Sequence, residues 1–593
     1  MKKMEFYSVL LTAAICFNTY SPALIKAEIL TEPTKTESAV SSEIITARKA
    51  DLETLFKTLE SKHPNIYNKN NQAVFKQKIT EIESTLHTMN DFEFAISLCE
   101  LTALIGDSHT QLSIGKQLGA SARYIPINVT MVKEGLLITG IQEEYQQVLG
   151  GILTSINGIP IEEIKQKLVP MISFDNEVYF NRQFAGMFYV YEILEHYGVL
   201  SSPEKISLEI KLQDKVETIE VDALDSATMK EMKVTSLKYD QPETSVDSSK
   251  LYFFKALDDE TLYIQYNACR EDENLPMETF AEQVKETITQ NGYKRTILDL
   301  RYNGGGSDGV IIPLMYVLDE KNEQEGMRLY TLIGSNTFSS ALINAVELKE
   351  IGSVIVGSPT GGSVDHFGEI SGFELPNSKI KGQYSNELFE LDTLLESAKP
   401  YGVESFLPDI AAEQTREDYL LGKDTALQAV LSDTRRAVAV NTELTRAVLA
   451  VQLGRDYMMR TGNTMDSVQP LFDDVSMVSY YTPYIAWASK NHLMNGKSEG
   501  TFAPNQVLTR SEVAVVLMRY AEFLGASLKD LPKDVVAIED ISTVQAWEEE
   551  AVKTLGGTEV FPLIDGKFQP KAHVTCKAFD ELFKSFKKLI ELK

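Results

Sequence analysis

Basic residues and cysteines are both scarce in this chain of 593 residues. There are 57 Lys and Arg against 85 Asp and Glu, a formal net charge of −28. That balance argues against nucleic acid and anionic membrane surfaces as partners, since both require a basic face. Cys16, Cys99, Cys269 and Cys576 lie far apart, and none sits in a C-x-x-C or other metal spacing. Loss of an N-terminal leader would leave the last three, an odd number that builds no disulfide framework; each reads as a small buried hydrophobe. After the leader no stretch approaches about eighteen uninterrupted apolar residues, so no membrane-spanning helix is expected.

The leader itself is MKKMEFYSVLLTAAICFNTYSPALIKA. Lys2 and Lys3, a short apolar run and small residues near Ala23 and Ala27 read as a secretory signal peptide, residues 1–27, cut after Ala27. Ile15 before Cys16 spoils a lipoprotein cleavage box. The expected mature chain is therefore exported and soluble. Its hydrophobic fraction of 43% and charged fraction of 24% are ordinary for globular protein, and its length calls for three or four domains.

Patterning along the chain divides it. Residues 28–43 are polar and turn-rich, a tether. From 44 to 120 the apolar spacing is helical: Leu52, Leu55, Phe56 and Leu59 on one face, Phe75, Ile79, Ile82 and Leu86 on another, and a third helix ending at Gly106. From 121 to 225 short alternating strands follow, among them YIPINVTMV, GLLITGI and ISLEIKL. Between 250 and 424 apolar strands alternate with helices, the pattern of a layered α/β domain with a partly parallel sheet. From 425 to 593 an internal repeat appears: TFAPNQVLTRSEVAVVLMRYA aligns with KFQPKAHVTCKAFDELFKSF, and VAVNTELTRAVLAVQLGRDY matches the same half-unit. Thr445, Thr509 and Thr575 recur at spacings of 64 and 66 residues. The repeat units are 425–463 (partial), 471–525 and 534–593 (degenerate).

The most informative stretch is RLYTLIGSNTFSSALINAVELKE. An apolar strand breaks at Gly334, turns through Ser335, Asn336, Thr337 and Phe338, and starts a helix at Ser339-Ser340. A serine there has its hydroxyl near the positive end of a helix and free backbone N–H groups around it, the setting of a serine nucleophile with half an oxyanion hole. It equally suits a helix N-cap. Upstream, RTILDLRYNGGG ends a strand in Gly304, Gly305 and Gly306, where bare backbone can approach a substrate carbonyl.

Three motifs, Asp299–Gly306 (D-x-R-x-N-x-G-G), the strand-turn-helix at Ser339 and Gly357-Ser358-Pro359-Thr360-Gly361-Gly362, occur in the order seen in the C-terminal processing and tricorn-core serine peptidases. The chain resembles that family from about Asp51 to about Gly422. The segment VLGGILTSINGIPIEEIKQKL resembles the second half of a PDZ-like domain, a module the family uses to hold an extended peptide. The repeats resemble S-layer homology (SLH) modules, which bind the secondary polysaccharide of a bacterial cell wall. Together the resemblances imply a multidomain α+β protein: an N-terminal helical cap, a PDZ-like β-rich module, an α/β peptidase core and C-terminal α-helical SLH-type repeats.

The family resemblance also implies site residues. The lysine that one branch places after the G-x-P-T-x-G turn is missing, and Ser363 lies near its place. The tricorn branch instead uses a histidine preceded by a serine, matched here by Ser108-His109. His109 is then the general base and later acid, with Ser108 in the relay that orients it; His366 is the rival base, and the other five histidines read as structural or surface groups. A glutamate before a P-D-I motif points to Glu404. The oxyanion donors would be the N–H of Ser340 and one from Gly304 or Gly305, and Ser340 is the alternative nucleophile. No metal or cofactor is implied, and the partners would be a protein or peptide substrate and the wall polysaccharide, with Arg446, Thr509 and Arg510 contacting the sugar. The expected function is a secreted, wall-anchored serine endopeptidase; the alternative is a catalytically inactive scaffold of the same fold.

Overall fold

The computed structural model describes residues 40–119, 122–201, 205–324, 327–393, 395, 397–433, 443–461, 471–475, 481–526, 528 and 537–591. The expected signal peptide and residues 28–39 of the expected tether lie outside them. The architecture is multidomain α+β, and the chain divides into two compact units, Met1–Ile311 with Leu329–Arg435 and Ile312–Arg328 with Arg436–Lys593.

The first unit opens with helices Ser42–Lys62, Gln72–Thr85 and Asp91–Ala103. Each begins at a side-chain cap: Ser41, Asn71, and Asn90 in a reciprocal capping box with Glu93. Their apolar faces bury Leu52, Leu55, Leu59, Phe75, Ile82, Leu86, Phe94 and Leu98 in one core, shared with the strands that follow. The third helix ends three residues before Gly106, which takes a positive φ of 73°.

Those strands form a seven-stranded antiparallel sheet. Val234–Ser236, Gly135–Gln142, Ile152–Ile156, Ile206–Lys211 and Val216–Val221 lie in that order; Ile127–Val132 pairs with Gly135–Gln142 and Ile159–Pro160 with Ile152–Ile156. Asn157 and Gly158 turn at positive φ, and helix Ile161–Leu168 follows. Two helices not expected from the sequence, Glu177–Ala185 and Tyr191–His196, interrupt the strands.

A six-stranded sheet comes next, in the order Tyr252–Asp258, Thr261–Tyr266, Arg295–Asp299, Arg328–Ile333, Val354–Gly357 and Ile410–Ala411. Its first pair is antiparallel; Thr261–Tyr266 runs parallel to Arg295–Asp299, and Arg328–Ile333 and Ile410–Ala411 run parallel to Val354–Gly357. Every residue of Thr261–Tyr266 is buried, as a strand covered on both faces requires. A separate three-stranded antiparallel sheet, Gln111–Ser113, Lys381–Phe389 and His366–Glu374, brings chain from both ends of this unit together.

Two expected boundaries move. Helix Thr425–Ser432, expected in the first repeat, buries Ala426 and Val430 against Tyr263, Ile297, Leu332 and Val356 of the six-stranded sheet, so the layered domain extends past residue 424. Helix Ile312–Gln324, expected in that domain, groups with the second unit, where the Tyr316 ring stands edge-on to Tyr484 at 6.3 Å.

The second unit is otherwise helical: Arg446–Thr461, Thr482–Lys490, Arg510–Phe523, Glu549–Leu555 and Cys576–Glu591. The residues just before three of these helices close a ring of backbone hydrogen bonds. Leu444 N–H donates to Val574 O at 2.7 Å, Val574 N–H to Leu508 O at 3.1 Å, and Leu508 N–H to Leu444 O at 2.9 Å. Each repeat thus bonds to the other two, and Leu449, Val513 and Phe579 of their helices share one apolar core. In two repeats an aspartate holds the loop before the helix. Asp474 accepts from Phe502 and Ala503 N–H, and Asp540 from Phe568 and Gln569 N–H, all at 2.6 to 2.8 Å.

Candidate active site

Ser339 stands between strand Arg328–Ile333 and helix Ser340–Glu350 with φ 54° and ψ −131°. A non-glycine residue at positive φ is strained by about 1–3 kcal/mol, and such strain persists only where the surroundings impose it. Here they do. Thr337 locks the turn: its N–H donates to Gly334 O at 2.8 Å, and its hydroxyl accepts from Gly334 N–H at 3.0 Å and donates to Leu300 O at 2.9 Å. Phe338 N–H donates to Asn303 O at 3.2 Å. Ser339 makes no side-chain cap for the helix it precedes, so the N-cap role open to it in the sequence is not taken. A strained serine at a strand-to-helix turn is how α/β-hydrolases expose a nucleophile.

The glycine loop packs against this turn. Gly305 has φ 103°, and a Cβ there would fall 2.8 Å from the Ser339 Cβ, 2.9 Å from Phe338 O and 3.1 Å from Ser340 N. Only glycine permits that approach. The buried Asn303 fixes the loop, accepting from Gly305 N–H at 2.9 Å and donating to Tyr266 O at 3.1 Å. Of the two glycine donors expected for an oxyanion, Gly305 N–H is therefore engaged. Gly304 N–H and Ser340 N–H have no acceptor among the described residues. The Ser340 hydroxyl donates to Gly306 O at 2.8 Å, which ties helix to loop and leaves Ser340 a poor nucleophile.

His109 reaches this turn from the three-stranded sheet. Gln383 holds its carbonyl at 2.8 Å, and Asp107 accepts from its N–H at 2.8 Å. Its ring stacks on Phe338 at 4.4 Å and on His366 at 5.5 Å, and His366 stacks in turn on Phe389 at 5.3 Å. His109 thus lies between the neighbour of Ser339 and the rival base. Its ring is buried, and neither nitrogen has a hydrogen-bond partner. Burial pushes its pKa down to about 4, with Asp107 opposing and His366 reinforcing the shift. Burial also lowers His366, whose Nδ1 lies 3.1 Å from Val364 O.

Two assignments are corrected. The Ser108 hydroxyl donates to the carboxyl of Asp175 and accepts from Asp175 N–H at 3.1 Å, so it makes no bond to His109, whose ring stacks on Phe338 and whose Nδ1 lies 4.0 Å from Asp107. The side chain of Glu404 is exposed, and this residue contributes only backbone, its carbonyl accepting from Val364 N–H at 2.9 Å. The acid beside Ser108 is Asp175, whose pKa burial pushes up to about 7 against the hydrogen bond from Ser108. Asn176 links the same corner to Gly361 O at 3.0 Å and to the Ser363 hydroxyl at 2.9 Å.

One histidine set aside in the sequence also belongs here. His63 accepts from Asn65 N–H at its Nδ1, so its Nε2 carries the proton and donates to Asp107 at 3.1 Å. Thr110 and Ser385 hydroxyls add bonds of 2.5 and 2.7 Å to the same carboxylate. Burial alone would raise Asp107; these bonds and the nearby His109 hold it below its ordinary value. Among the described residues no group of His, Cys, Asp and Glu is arranged to hold a metal ion.

In the second unit the expected sugar-binding residues have structural partners. Arg446 is buried, its guanidinium donating to Phe502 O at 2.8 Å and Asn495 O at 2.6 Å. Arg510 repeats this contact one unit on, donating to Phe568 O at 2.9 Å and Pro562 O at 3.1 Å. Thr509 caps its helix in a capping box with Glu512.

Residues 471–514 match the S-layer homology domain. That match supports association with the cell wall or S-layer. An endoglucanase of Bacillus sp. (strain KSM-635) is 30% identical over 155 residues, 26% of this chain and 16% of that protein's length. Among solved structures, mature CPAF complexed with lactacystin is 14% identical with a TM-score of 0.47, covering 66% of this chain and 98% of that one. The photosystem II D1 C-terminal processing protease is 10% identical with a TM-score of 0.31, covering 65% and 99%. A putative S41 protease from Bacteroides fragilis is 14% identical with a TM-score of 0.24, covering 52% and 82%. With TM-scores below 0.5, none of these likenesses adds to the geometry described above. No helix of the described residues is long and apolar enough to cross a membrane.

Proposed function

We propose that the protein is a serine endopeptidase of the C-terminal processing and tricorn-core type, held at the cell wall by its SLH repeats. The observation that carries this reading is Ser339 itself: a strained serine at a helix N-terminus, pressed by Gly305, with His109 stacked on the adjacent ring. Ser339 attacks the scissile carbonyl, and His109, neutral at physiological pH, takes its proton and later returns it to the leaving amine. The Gly304 and Ser340 N–H groups stabilise the oxyanion of the tetrahedral intermediate. The seven-stranded sheet is the PDZ-like module, and the second unit binds the secondary wall polysaccharide.

A second reading is an inactive scaffold of the same fold. It is favoured by the absence of a hydrogen bond to either His109 nitrogen, which leaves the base uncoupled from Ser339 in the unliganded chain. Hydrolysis of an unfolded protein such as reduced casein separates the two. The endopeptidase cleaves it, and Ser339→Ala lowers the rate by about four orders of magnitude or more. No cleavage by the wild-type chain favours the scaffold.

A further inference from the structure

Beside the turn that presents Ser339, the first unit holds a cleft of about 940 Å³. That is near the upper end of ligand-binding pockets. Strand Ile127–Val132 and the residues after it form one wall, helix Glu177–Ala185 another, and the turns at Gly334–Asn336 and Gly357–Pro359 a third. Asn336 is three residues from Ser339, so their Cα atoms are at most about 11 Å apart.

Most of the charges lining the cleft are satisfied within the protein. Arg301 is clamped by Asp299 and Asp424 at 2.6 to 3.0 Å, and Lys165 pairs with Glu162 at 2.8 Å. Glu134 accepts from Arg416 N–H, and Lys133, Glu413 and Lys423 are exposed to water. Arg182 is different. It is half-buried, lies 5.9 Å from the Tyr179 ring centroid, and has no hydrogen bond or ion pair among the described residues.

A guanidinium taken partly out of water without an acceptor is unfavourable, and its planar fork fits a carboxylate with two parallel bonds. In a chain of net charge −28 a cation left uncompensated inside a cleft is the more unusual. Its position is tied to the candidate site. Tyr179, one turn earlier on the same helix, donates to Ser108 O at 3.0 Å and places its ring 5.0 Å from Phe338.

We propose that Arg182 anchors a carboxylate of the bound peptide, so that the chain selects peptides carrying a negative charge a few residues from the cleaved bond. Two peptide groups share that chemistry, the free C-terminus and an Asp or Glu side chain. This inference rests on the peptidase reading for its consequence in catalysis, but its binding test does not need catalysis. Full-length Ser339→Ala is presented with fluorescein-labelled hexapeptide mixtures in three forms: C-terminal acid without Asp or Glu, C-terminal amide without Asp or Glu, and C-terminal amide with them. Affinity is read by anisotropy.

Tighter binding of the first mixture assigns the anchor to the C-terminus, and tighter binding of the third assigns it to acidic side chains. In either case adding Arg182→Gln should remove the preference, weakening binding by about ten-fold or more, and Arg182→Lys should keep part of it. Unchanged melting temperatures would exclude a merely structural effect. Equal affinity for all three mixtures, no binding of any, or a preference that survives Arg182→Gln overturns the proposal. If casein is cleaved while that happens, the peptidase reading stands alone. If the preference appears but casein is never cleaved, the anchor stands and the peptidase reading falls.

Discussion

His109 is buried and Asp175 half-buried with its Oδ2 out of water, and that burial moves the two in opposite directions. His109 is held down to about 4, against an ordinary histidine near 6.5, so in the folded chain it stays neutral through the physiological range. Its stabilising contribution is complete above about 6.5 and is lost as the pH falls toward 4, because the unfolded chain takes up the proton first. Asp175 is pushed up to about 7, so it favours the fold while protonated, and that contribution is lost as the pH rises from the ordinary carboxyl range through 7. If His109 is the base of the proposed peptidase, the acid limb of kcat/KM is therefore expected near pH 4, well below the ordinary histidine value. A pH profile on a soluble peptide checks this, and an acid limb at 6.5 that is unaffected by His109→Gln would contradict it. The strand-turn-helix at Ser339 and the nearness of His109 to it were legible in the sequence, because each residue sits inside a motif whose neighbours dictate its geometry. Asp175 and His63 were not, since they meet Ser108 and Asp107 across 67 and 44 residues of chain without any motif of their own. Glu404 lies near Pro408-Asp409-Ile410 in the sequence, but that nearness says nothing about which way an exposed loop side chain points.

The loop Asn303–Gly306 packs closely on the turn before helix Ser340–Glu350, with Phe338 N–H donating to Asn303 O and the Ser340 hydroxyl to Gly306 O. Gly305→Ala would put a methyl group 2.8 to 3.1 Å from Ser339 and its neighbours, at a φ that side chains rarely adopt. It is expected to destabilise the chain by at least about 2 kcal/mol and to abolish activity. Gly304→Ala meets nothing within 4 Å and should fold normally. Thermal melts of the two variants make the comparison, and equal melting temperatures would show that the loop does not press on Ser339. Strands such as Thr261–Tyr266 were readable from their apolar runs, and the first three helices from their 3.6-residue spacing. The three-stranded sheet was not readable. Its strands mix polar and apolar residues and pair Gln111 with Gln383 from opposite ends of the unit, a register set only by tertiary packing.

In the second unit the repeat was visible because Thr445, Thr509 and Thr575 recur at nearly equal spacing, but the closed ring of Leu444, Val574 and Leu508 was not. Nor was the grouping of helix Ile312–Gln324 with the repeats, from more than a hundred residues upstream. The ring changes what the arginines are expected to do. Arg446 holds two carbonyls of the next repeat from a buried position, so Arg446→Ala should cost about 2–4 kcal/mol of stability in this unit. Arg510, half-exposed, should cost less. Pull-down on purified wall sacculi alongside thermal melts of the full-length variants separates recognition from folding. Loss of wall binding by Arg446→Ala with no change in melting temperature would return that residue to the sugar-contacting role expected from the sequence.

On the proposed reading Ser339 is the nucleophile and His109 its base. Labelling of the full-length chain with a fluorophosphonate, followed by peptide mapping of the adduct, tests it directly. The expected result is one adduct on Ser339, absent from Ser339→Ala, strongly reduced in His109→Gln, and retained in Ser340→Ala and His366→Gln. An adduct on Ser340, or undiminished labelling of His109→Gln, would contradict it.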